Sequence, residues 1–280
     1  MHLDARLAVP VSLLLILLSS CGGSVRDGAP PGSITGADLP GDAVPRPEPR
    51  SPFGNGPIYE VLGKRYTVMN SNAGYQERGV ASWYGKKFHG RPTASREPYN
   101  MYAMTAAHRT LPLPTYVRVR NLRNNKSIIV RVNDRGPFVQ NRIIDLSYAA
   151  AIKLDMIRSG TSLVEITAIT FDGARGDRPA NQPIATSPAM TASTEPSPTP
   201  PQPNVIFVQV GAFGERSNAE RRHVLLLSGG INSAFIDADE NSNPRIYRVR
   251  IGPIADVPQY DVLIEQLEIL GIRNPYLVTR

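Results

Sequence analysis

Three carboxyl groups between residues 77 and 172 are left as candidates for acid/base chemistry, Glu97, Asp134 and Asp145. That stretch holds seven acidic residues, but Asp155 and Asp172 fall at a helix end and beside a linker, and Glu77 and Glu165 near the edges of the block. Asp134 ends the β-type run Ile128-Ile129-Val130-Arg131-Val132 at an Asp134-Arg135-Gly136-Pro137 turn. A carboxyl group held partly out of water at a strand end has a raised pKa and can give up and retake a proton. A turn aspartate that bonds its own backbone and pairs with Arg135 leaves the same trace in the sequence. Glu97, in Thr93-Ala94-Ser95-Arg96-Glu97, reads either as a reacting group or as a solvated loop carboxylate. Asp145 is expected to steady a loop or helix start through backbone N–H groups rather than to react.

Other side chains frame these acids. His108 can donate to a substrate hydroxyl or orient a carboxylate, or stand as a hydrogen-bonded structural histidine; His89, in Phe88-His89-Gly90, reads equally as part of a turn. Trp83 and Tyr84 offer an aromatic platform for a ligand, yet strand alternation puts one on each face, so at most one meets it. With four histidines and one cysteine in the chain, no metal-ligand spacing is present, and neither metal nor other cofactor is expected.

The elements that must position these residues fall into two blocks. Residues 57–172 carry short β-type runs broken by Asn-Asn and Asp-Arg-Gly-Pro turns, with one helix after Ser147, whose hydroxyl can cap the run Ala149-Ala150-Ala151. Residues 205–280 alternate strand and helix in the order β-α-β-β-α-β, which predicts a split-βαβ sheet with both helices on one face. The stretches 21–56 and 173–204 are rich in Gly, Pro, Asp and Ser and poor in large apolar residues, and are predicted to be a flexible tether and a Pro-rich linker. The span from Glu77 to Asp172 has 15 Lys and Arg against seven Asp and Glu, whereas residues 205–280 have eight against nine. The partner-facing basic surface therefore belongs to the first block.

The N-terminus sets the compartment. Arg6 precedes a small and apolar run over residues 7–18, too short for the ~20 residues of a spanning helix, and the pattern is that of a signal peptide over 1–20. Leu18-Ser19-Ser20-Cys21-Gly22 resembles a bacterial lipobox, which implies lipidation of Cys21; Gly22 after it implies sorting to the outer membrane, with the chain facing the periplasm. With one cysteine, no intramolecular disulfide is possible.

Gly79-Val80-Ala81-Ser82-Trp83-Tyr84-Gly85, the Thr93–Glu97 segment, Thr105-Ala106-Ala107-His108 and Val132-Asn133-Asp134-Arg135-Gly136-Pro137, taken together, resemble the catalytic domain of the rare lipoprotein A (RlpA) family. The resemblance implies a double-psi β-barrel and lytic transglycosylase activity on peptidoglycan, a carbon-oxygen lyase reaction. In that reaction the bond from N-acetylmuramic acid to N-acetylglucosamine is cleaved to a 1,6-anhydro product. It implies Asp134 as the acid/base, Glu97 as an essential carboxylate and His108 as a third site residue. Arg96 stands where the family has glycine, so either Arg96 is strained or the loop is rebuilt and Glu97 displaced.

Phe207-Val208-Gln209-Val210-Gly211-Ala212-Phe213 and Tyr247-Arg248-Val249-Arg250-Ile251-Gly252-Pro253 are similar to the first and third strands of a SPOR domain, which binds glycan strands lacking stem peptides. Alternation leaves Phe207, Gln209, Arg248 and Arg250 on the open face, so Gln209, Arg248 and Arg250 are the expected glycan contacts. The same topology serves RNA-binding domains, but the aromatic signature is missing and export removes nucleic acid as a partner. The reading is thus a septal enzyme acting on denuded strands; a non-catalytic, expansin-like wall-binding lipoprotein and a septal scaffold are the alternatives, and protein partners are left open.

Overall fold

The computed structural model describes residues 27–30, 38–171, 204–240 and 242–280. The leader, Cys21 and nearly all of the 173–204 linker lie outside them. A hairpin of β1 (Ile58–Val61) and β2 (Lys64–Thr67) opens the first domain ahead of its barrel. There β3 (Gln76–Tyr84), β4 (Thr105–His108), β5 (Thr115–Asn121), β6 (Ser127–Asp134), β7 (Arg142–Ser147) and β8 (Ser162–Ile169) close into a barrel in the order β3-β7-β4-β6-β5-β8. The β3/β7 and β4/β6 pairs are parallel, and the remaining pairs antiparallel.

Alternation in the strands builds the barrel. Val117, Val119, Val130, Val132, Ile144 and Leu146 are fully buried, while Arg118, Arg131 and Asp145 between them are not. Each buried branched side chain contributes about 1.5–3 kcal/mol. The helix α1 (Tyr148–Lys153) starts where Ser147 accepts a hydrogen bond from the Ala150 N–H, as expected, and its alanines are small enough to bury completely against the barrel.

The second domain has β9 (Ile206–Phe213), α2 (Arg216–Ser228), β10 (Ala234–Asp239), β11 (Ile246–Ile251), α3 (Val257–Ile269) and β12 (Tyr276–Thr279). Its antiparallel sheet runs β10-β11-β9-β12. Asp256 caps α3 by accepting from the Gln259 N–H. Val208, Val249 and Ile251 meet Leu263, Ile264 and Leu267 of α3 in one core, the arrangement expected from the sequence. The two domains touch: Arg142 on β7 pairs with Asp261 on α3 at 3.1 Å, Arg78 donates to the Leu277 carbonyl, and Val80, Leu122 and Leu163 of the barrel extend the second core.

One expectation is overturned. Of the stretch read as a flexible tether over 21–56, residues from 38 onward lie against the barrel. Asp42 accepts from the Lys153 ammonium and the Ile129 N–H, the Ala43 N–H donates to the Ile129 carbonyl, and the Ser51 N–H donates to the Leu113 carbonyl. Composition missed this because the strap is fastened by backbone bonds and ion pairs rather than by large apolar side chains.

Candidate active site

Asp134 sits at the end of β6, where the ladder with β4 slips. Ala106 pairs with Val132 but Ala107 with Asp134, so Asn133 is an extra residue. Such a bulge breaks strict alternation. It brings Asn133 and Asp134, neighbours in sequence, to the same rim. Asp134 Oδ1 accepts from the Ala94 N–H at 2.7 Å and from the Arg135 N–H at 2.8 Å. Burial raises its pKa, against the opposing pull of these two N–H groups and of the Arg135 charge. The result is a carboxyl group fixed in direction that holds a proton more firmly than an ordinary aspartate.

Glu97 shares that rim in a different state. Arg131 Nη1 donates to its two oxygens at 3.0 and 2.8 Å, and Asn133 Nδ2 to one of them at 2.8 Å. Burial pushes its pKa up, but the bonds from Arg131 and Asn133 outweigh this and hold it below the usual carboxylate range. Glu97 is therefore an anion beside a raised acid, the separation that assigns different tasks to two carboxyl groups. The loop carrying it is a tight turn, closed by the Arg96 N–H to the Thr93 carbonyl and by the Thr93 N–H to the Glu97 carbonyl. Arg96 adopts φ +69° with its guanidinium 4.5 Å from the Phe53 ring centroid. Of the two outcomes foreseen, the positive φ is taken by Arg96 itself.

Other expected site residues are corrected. His108 is 2% exposed. Its Nδ1 accepts from the Thr110 and Leu111 N–H groups at 3.1 and 3.0 Å, so Nε2 carries the proton and donates to the Tyr75 hydroxyl at 2.9 Å. Burial, reinforced by the charges of Arg109 and Arg135, takes its pKa down to about 3. It is neutral and buried. Its effect is indirect: the loop it fixes presents the His108 and Leu111 carbonyls, which accept from Arg135 next to Asp134. Tyr84 is likewise core, 8% exposed and stacked on Tyr99 at 4.0 Å, whereas Trp83 keeps partial exposure against Tyr148. Trp83 is thus the member of the pair that keeps accessible surface. Among the described residues, Asp145 accepts from the Ser82 hydroxyl rather than from backbone N–H groups. His89 accepts from the Met101 N–H, a loop role.

Sequence reasoning missed the groups that hold the acids. Arg131 and Asn133 stand two apart on β6, a spacing that alternation could have flagged as one face, and both reach Glu97. Glu48, in the strap, takes Arg131 in a two-pronged pair at 3.0 and 2.7 Å and also accepts from the Tyr116 hydroxyl. The strap's Gly54 carbonyl accepts from Arg135 Nε at 2.9 Å. Both acids are therefore buttressed by residues before β1.

The open face of the second sheet is a paired network. Arg250 bonds Asp237 and donates to Gln209, Arg248 pairs with Asp239 at 2.8 Å, and Gln209, only 3% exposed, bonds the Tyr276 hydroxyl. The expected glycan residues share one face, but Gln209 is covered by its neighbours and both arginines are charge-balanced.

A closed barrel with two parallel pairs, an acid and an anion on one rim, and a split-βαβ domain behind it define a double-psi barrel of the lytic-transglycosylase type joined to a SPOR domain. Residues 76–166 match the family model described as lytic transglycolase, and residues 202–279 match the SPOR domain model. The endolytic peptidoglycan transglycosylase RlpA of Pseudomonas aeruginosa (strain UCBPP-PA14) is 39% identical over 291 residues, covering 90% of this chain and 84% of that protein. The protein of the same name from Vibrio cholerae serotype O1 is 37% identical over 278 residues, 95% of each chain. That from Neisseria meningitidis serogroup B (strain ATCC BAA-335 / MC58) is 60% identical over 111 residues, 40% of this chain and 46% of that one. The chain belongs to the RlpA family.

Proposed function

We propose that the protein is an endolytic peptidoglycan transglycosylase that cleaves the bond from N-acetylmuramic acid to N-acetylglucosamine without water. The observation that carries this reading is the division of labour on the rim, where Asp134 is raised by burial and Glu97 is held ionised by Arg131. Asp134 gives its proton to the glycosidic oxygen as the bond from the muramoyl anomeric carbon breaks. The Glu97 anion stabilises the positive charge developing on the sugar ring. The muramoyl 6-hydroxyl then attacks the anomeric carbon, and its proton passes to the Asp134 carboxylate. The acid is regenerated, and the products are a free sugar end and a 1,6-anhydro ring. One carboxyl group serves as acid and then base because the 6-hydroxyl replaces an activated water. Trp83 is the platform beneath a sugar ring.

Further parts of the reading concern place. The SPOR domain directs the barrel to denuded strands at the division septum through the face that holds Gln209, Arg248 and Arg250. Lipidated Cys21 anchors the chain in the outer membrane facing the periplasm. Asp134→Asn is expected to lower the yield of 1,6-anhydro fragments from purified sacculi by at least about 100-fold, the scale of general acid/base catalysis. An unchanged yield, measured by mass spectrometry of soluble products, overturns the assignment.

A further inference from the structure

The turn after Trp83 and Tyr84 presents main-chain N–H groups at Gly85, Lys86 and Lys87, and a short piece of the chain from far upstream is seated on them. The Gly85 N–H lies 3.1 Å from each Asp27 carboxylate oxygen, and the Lys87 N–H lies 3.1 Å from Oδ1. The Lys86 N–H donates to the Gly28 carbonyl at 3.0 Å. Successive N–H groups that converge in this way make an anion-binding concavity. The exposed side chains of Lys86 and Lys87 add two positive charges beside it.

Gly85 is needed there for space. Its φ is outside the left-handed region, yet a Cβ on it would come within 2.1 Å of the Gly28 carbonyl oxygen and 3.0 Å of Trp83 Cζ3. A missing side chain that admits a carboxylate-bearing chain, with a partly exposed tryptophan on its border, describes a built seat. The seat adjoins the catalytic rim. Asp145 connects the two: it accepts from the Ser82 hydroxyl on the strand that leads to Gly85, and its Oδ2 lies 3.8 Å from the position a Cβ would take on Gly136, in the turn that follows Asp134.

We propose that the Gly85 and Lys87 amides bind a carboxylate of the glycan strand, the lactyl carboxylate of a muramic acid residue, and that Asp27 fills the seat until substrate arrives. The inference rests on the transglycosylase reading above. A lactyl group carries its carboxylate on a short arm from the sugar ring, comparable in reach to an aspartate side chain. A ring on Trp83 therefore places that group at Gly85. In strands that keep their stem peptides, the lactyl carboxylate is consumed in an amide, which has lost its charge and one acceptor oxygen. The barrel then selects denuded strands by itself, independently of the SPOR domain.

The test follows the amide signals of Gly85 and Lys87 in the isotope-labelled full chain, with Asp134→Asn to keep the ligand intact. The probes are a denuded N-acetylglucosamine–N-acetylmuramic acid oligosaccharide, its lactyl methyl ester and the same oligosaccharide with stem peptides. The free acid is expected to shift both amides and to bind about tenfold more tightly than the ester, the scale of one charge-assisted hydrogen bond. Asp27→Asn is expected to tighten the free acid severalfold by removing its competitor. Equal binding of acid and ester, or binding that leaves both amides unmoved, overturns the seat. Equal shifts with stem-peptide strands overturn the lactyl assignment in favour of peptide carboxylates. With the active chain, anhydro products from acid and ester at equal rates leave the enzyme reading standing and remove this one; products from neither overturn the enzyme reading itself.

Discussion

At Arg96, a long side chain occupies a backbone conformation with φ +69° that glycine adopts at no steric cost. The strain costs about 1–2 kcal/mol. The guanidinium over Phe53, at 4.5 Å, returns about 0.5–1 kcal/mol of it. Arg96→Ala keeps the strain and loses the ring, and is expected to destabilise the protein by about 0.5–1 kcal/mol. Arg96→Gly loses the ring but relieves the strain, and is expected to be the more stable of the two by about 1 kcal/mol. Urea midpoints for the pair check the order; an Ala variant equal to or above the Gly variant contradicts it. His108 gives the complementary lesson. Its residue type suggested chemistry, but two backbone N–H groups and the Tyr75 hydroxyl occupy its ring, a fact that lies in the fold rather than in the spacing Ala106-Ala107-His108.

Among the elements, the strap before β1 has the largest effect on the site, through a chain of pairs from Glu48 to Arg131 to Glu97. The bond from Arg131, assisted by the Tyr116 hydroxyl and opposed by burial, lowers the Glu48 pKa from 4.5 to about 2. A carboxyl group depressed on folding adds stability that is fully present above its unfolded pKa and is lost as pH falls through the folded one. The contribution of Glu48 is therefore intact above pH 4.5 and disappears towards pH 2. Glu48→Gln is expected to destabilise by about 1–3 kcal/mol at pH 7, a hydrogen-bonded charge pair's share. The gap from the natural chain should narrow at pH 3, as read from denaturant midpoints at both values; a gap that stays constant removes the pair from the account. The second domain was legible element by element, because strand and helix periods alternate cleanly from Ile206 to Thr279. The rim was legible only as residue types: the extra residue at Asn133 that aims Asp134 outward follows from ladder register, which one strand's sequence does not contain.

For the molecule as a whole, the domains meet through the Arg142–Asp261 pair and an apolar seam at Val80, Leu122 and Leu163. Reversing one charge sets two cations against each other while touching neither core. Asp261→Arg is expected to leave both domains folded by circular dichroism and to raise the radius of gyration measured by X-ray scattering. An unchanged radius means that the apolar seam holds the arrangement alone. None of this was readable beforehand, since composition marks 173–204 as a linker and says nothing of what its ends allow to meet.

The strap also sets a length. A chain spans at most about 3.3–3.6 Å per residue. If the anchor is Cys21 and the barrel began at 57, the 35 residues from 22 to 56 would give a contour of about 120 Å. With the chain fastened from 38 onward, the 16 residues from 22 to 37 give about 55 Å. With Asp27 seated at Gly85, the five residues from 22 to 26 give under about 20 Å. If Cys21 is the anchor, a strand that displaces Asp27 as proposed lengthens the longest possible leash by some 35 Å, so that engaging the wall and reaching for it become one event.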